Sequence, residues 1–201
     1  HDALPISLGI GLQGWKQTGW TGGPANRYLL ARDRKGIVTA FVGILAYVLI
    51  SPNFGPKDPA AQVLTWPWAS SFATLLLGEE RHWTPLNSEQ ARYWSHEYPT
   101  KALLPMMALV NTVNALPLEQ IQTPVLVIHA TNDQVVSTAA AAQAFSRFGS
   151  ARKQRIALDN SQDPSQHVLA GRIIAPRDTA QLALLIEQFI QPLMAAELHP
   201  R

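Results

Sequence analysis

Apolar residues run continuously in two stretches of the chain and recur at helical spacing near its end. Residues 37–50 are almost wholly apolar and close on Tyr47-Val48-Leu49-Ile50, before Ser51-Pro52-Asn53-Phe54-Gly55-Pro56 breaks the run. The run falls short of the roughly 18 apolar residues of a membrane span, and its end predicts a buried strand of a parallel sheet. Pro124-Val125-Leu126-Val127-Ile128-His129 predicts a second such strand. After it, Ser137 stands as the N-cap of an alanine-rich helix that continues to Phe148, with Gly149 as its stop. Residues 153–158 are a third strand candidate. Leu182, Leu185, Ile186, Phe189, Ile190 and Leu193 then repeat at intervals of three and four, the stripe of an amphipathic helix covering a sheet. Toward the start the pattern is weaker. Residues 7–18 alternate apolar residues with glycine, and residues 24–33 read as a helix opened by Pro24. Alternating strands and helices predict an α/β fold with a parallel sheet.

Between these parts, residues 57–122 turn aromatic and helical, with Pro67, Pro85, Pro99, Pro105 and Pro117 as interruptions, so an insertion of short broken helices is expected. Composition agrees with a buried globular core: of 201 residues 47% are hydrophobic and 15% charged, the latter below the roughly 25% of an average domain. The net charge of +2 comes without any basic run, which argues against a nucleic-acid partner. No cysteine is present to make a disulfide or thiolate metal site, and the six histidines show no metal-ligand spacing. Residues 1–6, His-Asp-Ala-Leu-Pro-Ile, read as the translation of a sequencing adapter and are set apart from the fold. The expected organisation is therefore residues 1–6 as an artefact, 7–56 as a disturbed first region with one strand, 57–122 as a helical cap, and 123–201 as the C-terminal core.

Taken in order, several parts of the chain resemble the α/β-hydrolase superfamily, in particular its serine esterases and lysophospholipases. They are Gly19-Trp20-Thr21-Gly22-Gly23, the strand ending in Ser51-Pro52-Asn53, the aromatic insertion, Asp133 behind its strand, and His167-Val168-Leu169-Ala170-Gly171 behind the next. The resemblance implies the C-terminal half of that family's parallel sheet with a helical cap inserted. It implies a nucleophile, acid and base in chain order at Thr21, Asp133 and His167, with no cofactor and no metal. Adjacent parallel strands deliver their carboxyl-end loops to one edge of a sheet, which gives Asp133 and His167 a reason to meet. Asp163 is a nearer carboxylate, but beside Pro164 it is expected to shape the turn. His129 is expected to be a core histidine, and His82 and His96 to lie on the cap.

The nucleophile position departs from the family's Gly-x-Ser-x-Gly pattern, because Thr21 stands where serine is expected. Either threonine replaces serine, or a residue has been lost from a Gly-Trp-Ser-Thr-Gly-Gly segment. The irregular pattern before Tyr47 favours the second. A threonine's β-branch restricts χ1 in a strained turn, so a weak or absent activity is expected. By the same resemblance the N–H of Gly22 would be an oxyanion donor. Trp66, Trp68, Trp83 and Trp94 are candidate contacts to a small-molecule acyl ester, or else the cap's own core. The rival reading is a non-catalytic relative that binds an apolar ligand.

If residues 7–201 hold only the second half of such a sheet, a strand meant for its centre becomes an apolar edge. The isolated chain is then expected to self-associate on size-exclusion chromatography. A monomer that unfolds cooperatively would contradict this.

Overall fold

A computed structural model describes residues 29–32, 38–41, 44–58, 61 and 78–198. Its centre is a three-stranded parallel sheet of β3 (Tyr47–Ile50), β6 (Val125–Ala130) and β7 (Lys153–Leu158), with β6 in the middle. Tyr47 pairs with Val125, and Val125 with Lys153, so the three carboxyl ends lie along one edge. Every residue of β6 is buried. Successive strand side chains point to opposite faces, so a continuous apolar run is what a strand covered on both sides requires.

The two faces have different covers. Val125 and Val127 pack with Phe54, Leu118, Ala141, Ala144 and Phe148, on the side of α3 (Thr138–Arg147). Leu126, Ile128 and Ala130 pack with Leu169 and Leu182, on the side of α4 (Thr179–Leu198). Helix α3 begins as the sequence predicts, with the Ser137 hydroxyl accepting the N–H of Ala140 at 3.1 Å. Its end has another cause than expected. Phe148 closes the helix in an extended conformation, and Gly149 is there for space: a Cβ at this position would lie 1.9 Å from the Glu119 carbonyl oxygen.

Two further elements differ from the sequence reading. The helix anticipated over residues 24–33 contains a strand, β1 (Leu29–Arg32), paired antiparallel with β2 (Val38–Phe41). Val38, Thr39 and Phe41 favour strands, and their pairing outweighs a modest helical preference in Leu29-Leu30-Ala31-Arg32. Residues 57–122, expected to be an insertion of short broken helices, include the antiparallel pair β4 (Glu80–His82) and β5 (Glu97–Pro99) on either side of α1 (Ser88–Tyr93). Glu80-Arg81-His82 is exposed and wholly polar, so it carries no apolar alternation from which to read a strand. Helix α2 (Leu103–Ala115) follows, and Pro105 does not break it, because it lies in the first turn where its missing N–H has no partner to lose. Among the described residues no helix is long and apolar enough to cross a membrane.

Gly149→Ala is expected to cost about 1–3 kcal/mol or more, as overpacking against backbone does. Urea denaturation reads this as a lower midpoint, and an unchanged midpoint would contradict the steric account.

Candidate active site

The loop behind β6 carries Asp133, whose side chain is fully buried. Its Oδ1 accepts the backbone N–H groups of Val135 at 2.8 Å and Val136 at 2.9 Å, a turn in which the aspartate binds its own following backbone. Its Oδ2 lies 2.9 Å from Nδ1 of His167. An ionised carboxylate only accepts, so Nδ1 carries the proton in this contact and Nε2 is left as the basic nitrogen. The His167 side chain is 28% exposed. An imidazole held in this way can take a proton at Nε2 while the buried carboxylate stabilises the resulting charge.

The loop behind β7 is fastened around His167. Asp163 Oδ2 accepts the N–H of His167 at 3.0 Å, the N–H of Val168 at 2.8 Å and the Ser165 hydroxyl, and Oδ1 accepts the N–H of Ser165. Burial raises the pKa of Asp163, but the Ser165 hydroxyl and the backbone N–H groups of Val168, His167 and Ser165 outweigh it and hold the carboxyl below its ordinary value. Asp163 thus shapes the loop, in line with the turn-forming part expected of it. Sequence reasoning misses Ser51, which reads only as the stop after a strand. The Ser51 hydroxyl donates to the His167 carbonyl at 2.7 Å across 116 positions of sequence. No local signal points to a contact over that separation.

The remaining histidines among the described residues separate by environment. His129 is buried, with Nδ1 3.0 Å from the Ala130 carbonyl and Nε2 3.0 Å from an Arg155 guanidinium nitrogen. Because the guanidinium only donates, Nε2 accepts and Nδ1 donates, and the ring is a satisfied neutral core group. His82 lies between Glu80 at 3.6 Å and Glu97 at 3.8 Å on the exposed face of the β4–β5 pair. Among the described residues this is the one group of three metal-capable side chains within 4.8 Å, and all three are exposed. His96 meets Trp83 edge to face.

Of the tryptophans named from the sequence, Trp83 and Trp94 are described and pack edge to face with centroids 6.3 Å apart. Trp94 also lines a cavity of about 210 Å³ together with Val168 and residues 170–174, Arg172 among them. Trp83 does not line it. Thr21, Gly22, Trp66 and Trp68 lie outside the described residues.

Because the folded-state pKa of Asp163 is lowered, its contribution to stability is complete above the ordinary carboxylate range and is lost as pH falls through the lowered value. Asp163→Asn is expected to destabilise the fold by about 1–3 kcal/mol at neutral pH. The difference from the parent should shrink in acid, as thermal unfolding across pH will read, and an equal loss at every pH would contradict this.

Residues 42–161, more than half of the chain, match the family model described as serine aminopeptidase, S33. No curated protein matches the chain in sequence. Among solved structures it is similar to a soluble variant of monoglyceride lipase from Saccharomyces cerevisiae, with a TM-score of 0.51 at 10% identity over 75% of this chain. A structure reported for the metagenome-derived lipolytic enzymes LipS and LipT matches with a TM-score of 0.51 at 18% identity, also over 75%. The chain covers 56% of each of these proteins. A parallel sheet between helical layers is what they share with it. The chain belongs to the serine aminopeptidase S33 family of hydrolases and has the α/β-hydrolase fold.

Proposed function

We propose that this chain is a hydrolase of carboxylic esters, of the esterase or lysophospholipase kind, in which Asp133 orients His167 as general base. The observation that carries the reading is the 2.9 Å contact of His167 Nδ1 with a carboxylate that is fully buried and already holds two backbone N–H groups. Such a carboxylate cannot turn away, so it fixes both the tautomer and the direction of the ring. His167 would draw the proton from the hydroxyl at position 21 as it attacks the ester carbonyl, and return it to the leaving alcohol. Water would then repeat the sequence on the acyl-enzyme. The N–H of Gly22 would stabilise the tetrahedral oxyanion in both halves.

With threonine at the attacking position the turnover of this chain is slow. Its secondary hydroxyl is crowded by its own methyl group. A small-molecule acyl ester suits the indole of Trp94 beside its cavity, with Trp66, Trp68 and Trp83 as further candidate contacts read from the sequence, and it is the substrate class suggested by the names of the lipase and lipolytic neighbours. The threonine also favours a second reading, a non-catalytic member that holds an apolar ligand beside Trp94.

Hydrolysis of p-nitrophenyl acetate and p-nitrophenyl decanoate tests the first reading. His167→Ala should abolish the activity, Asp133→Asn should lower kcat by about 10⁴, the scale typical of a triad aspartate, and Thr21→Ser should raise it. Equal rates for the parent and His167→Ala would refute it. Absence of turnover in Thr21→Ser, together with saturable binding of decanoate, would establish the second.

A further inference from the structure

Among the described residues two that are not glycine have left-handed φ angles, Ser51 at 44° and Gln166 at 57°. Both abut His167. Gln166 precedes it in the chain, and Ser51 reaches it through the hydroxyl that donates to its carbonyl at 2.7 Å. A side chain at such an angle costs free energy and persists only where the surroundings over-determine it, and these positions gather at functional sites.

The surroundings here are specific. Gln166 is held by its own side chain, whose Nε2 donates to the carbonyls of Ser161 at 3.0 Å and Asp163 at 2.8 Å while Oε1 accepts the N–H of Ser161 at 2.8 Å. Ser51 is held by the sheet, since its N–H donates to the Ile128 carbonyl of β6 at 2.8 Å. Each peptide group flanking the imidazole therefore has a partner. The N–H groups of His167 and Val168 go to Asp163 Oδ2, the carbonyl of His167 takes the Ser51 hydroxyl, and the carbonyl of Val168 lies 2.9 Å from the Ser161 hydroxyl.

We infer that Ser51 and Asp163 are positioning residues, which clamp the main chain of His167 from two sides so that its ring stays on Asp133 as the Nδ1–H tautomer. The inference rests on the reading of His167 as the base. Asp133 is already pinned by the N–H groups of Val135 and Val136, so the remaining freedom in the contact lies on the histidine side, in its two side-chain torsions and in the main chain that bears them, and the clamp restrains the main chain. The end of β3 limits that freedom from one side and the Asp163 carboxylate from the other. Three strand ends thus converge on the imidazole, with β3 supplying the clamp, β6 leading to the acid and β7 to the base. The charged groups around the clamp are Asp133 on the ring, Lys57, whose Nζ donates to the Asp133 carbonyl at 3.0 Å, and Asp178, whose Oδ2 lies 3.0 Å from the Ser161 hydroxyl.

Ser51→Gly separates positioning from support of the fold, because it removes the hydroxyl while easing the left-handed angle. Ring ¹⁵N shifts of the intact chain, with His167 assigned by difference from His167→Gln, report the tautomer without any turnover. The parent is expected to hold His167 as Nδ1–H. Ser51→Gly should admit the Nε2–H form with an unfolding midpoint equal to or above that of the parent, and Asp163→Asn should admit it as well. Where esters are turned over, Ser51→Gly should lower kcat about tenfold at unchanged KM, a small displacement of the base being costly. An unchanged tautomer in Ser51→Gly overturns the inference, whether or not Asp163→Asn folds. A parent with no ester hydrolysis, but with a tautomer that shifts in Ser51→Gly, would fault the proposed reaction and leave the clamp standing.

Discussion

A strand whose every side chain is buried cannot stand at a surface. It needs a strand on each side to take up its backbone groups and a helical layer on each face to take up its side chains. Val125–Ala130 imposes that demand on the chain. β3 and β7 answer it in the plane of the sheet, while α3 and α4 answer it above and below. Parallel pairing then carries a geometric consequence, since the carboxyl ends of all three strands are brought to the same edge. The residues just past those ends, Ser51, Asp133 and, through a longer loop, His167, become neighbours without any local sequence relation between them.

Burying a carboxylate at that edge would be unfavourable if it lacked partners. Asp133 avoids the penalty by closing a turn on its own backbone with one oxygen and meeting the imidazole with the other. Asp163 meets the same requirement differently, with hydroxyl and main-chain donors and no histidine ring. Two buried aspartates four and thirty-four residues from one histidine thus act on it in separate ways. One touches the ring, and the other holds the chain that bears it.

Much of the core was legible because burial on both faces writes itself as an unbroken apolar run. The run from Val125 is such a strand where the pattern places it, and the Ser137 cap opens its helix as expected. Tyr47-Val48-Leu49-Ile50 is a strand too, but as an outer strand of the described sheet it is only partly buried and Ile50 is exposed, against the expectation of a buried strand. The other errors fall where that signal is absent. Glu80-Arg81-His82 pairs through its backbone with every side chain exposed, so the strand leaves no hydrophobic trace. Leu29-Leu30-Ala31-Arg32 suits either helix or strand, and its partner across the hairpin decides. Gly149 does mark a breakpoint, but not through its own flexibility, because the carbonyl that excludes a side chain there belongs to Glu119, thirty positions earlier.

At the candidate site the division is similar. The resemblance of the chain's parts to a known family singled out Asp133 and His167, which the structure brings into contact, while Asp163 beside Pro164 was legible as a loop former from its local sequence. Nothing in the sequence could show that the Ser51 hydroxyl reaches the base loop, that Trp94 rather than Trp83 borders the cavity lined by Val168, or that His129 accepts a hydrogen bond from Arg155 of the next strand. The sequence by itself determined which segments form the parallel sheet, two of them through their runs of apolar residues, and its resemblance to a hydrolase family named Asp133 and His167 as the candidates for acid and base. Only the tertiary structure decided which of those side chains touch, because parallel register joins residues far apart in the chain and hydrogen bonding at their meeting point depends on atomic distance, which spacing along a sequence does not encode.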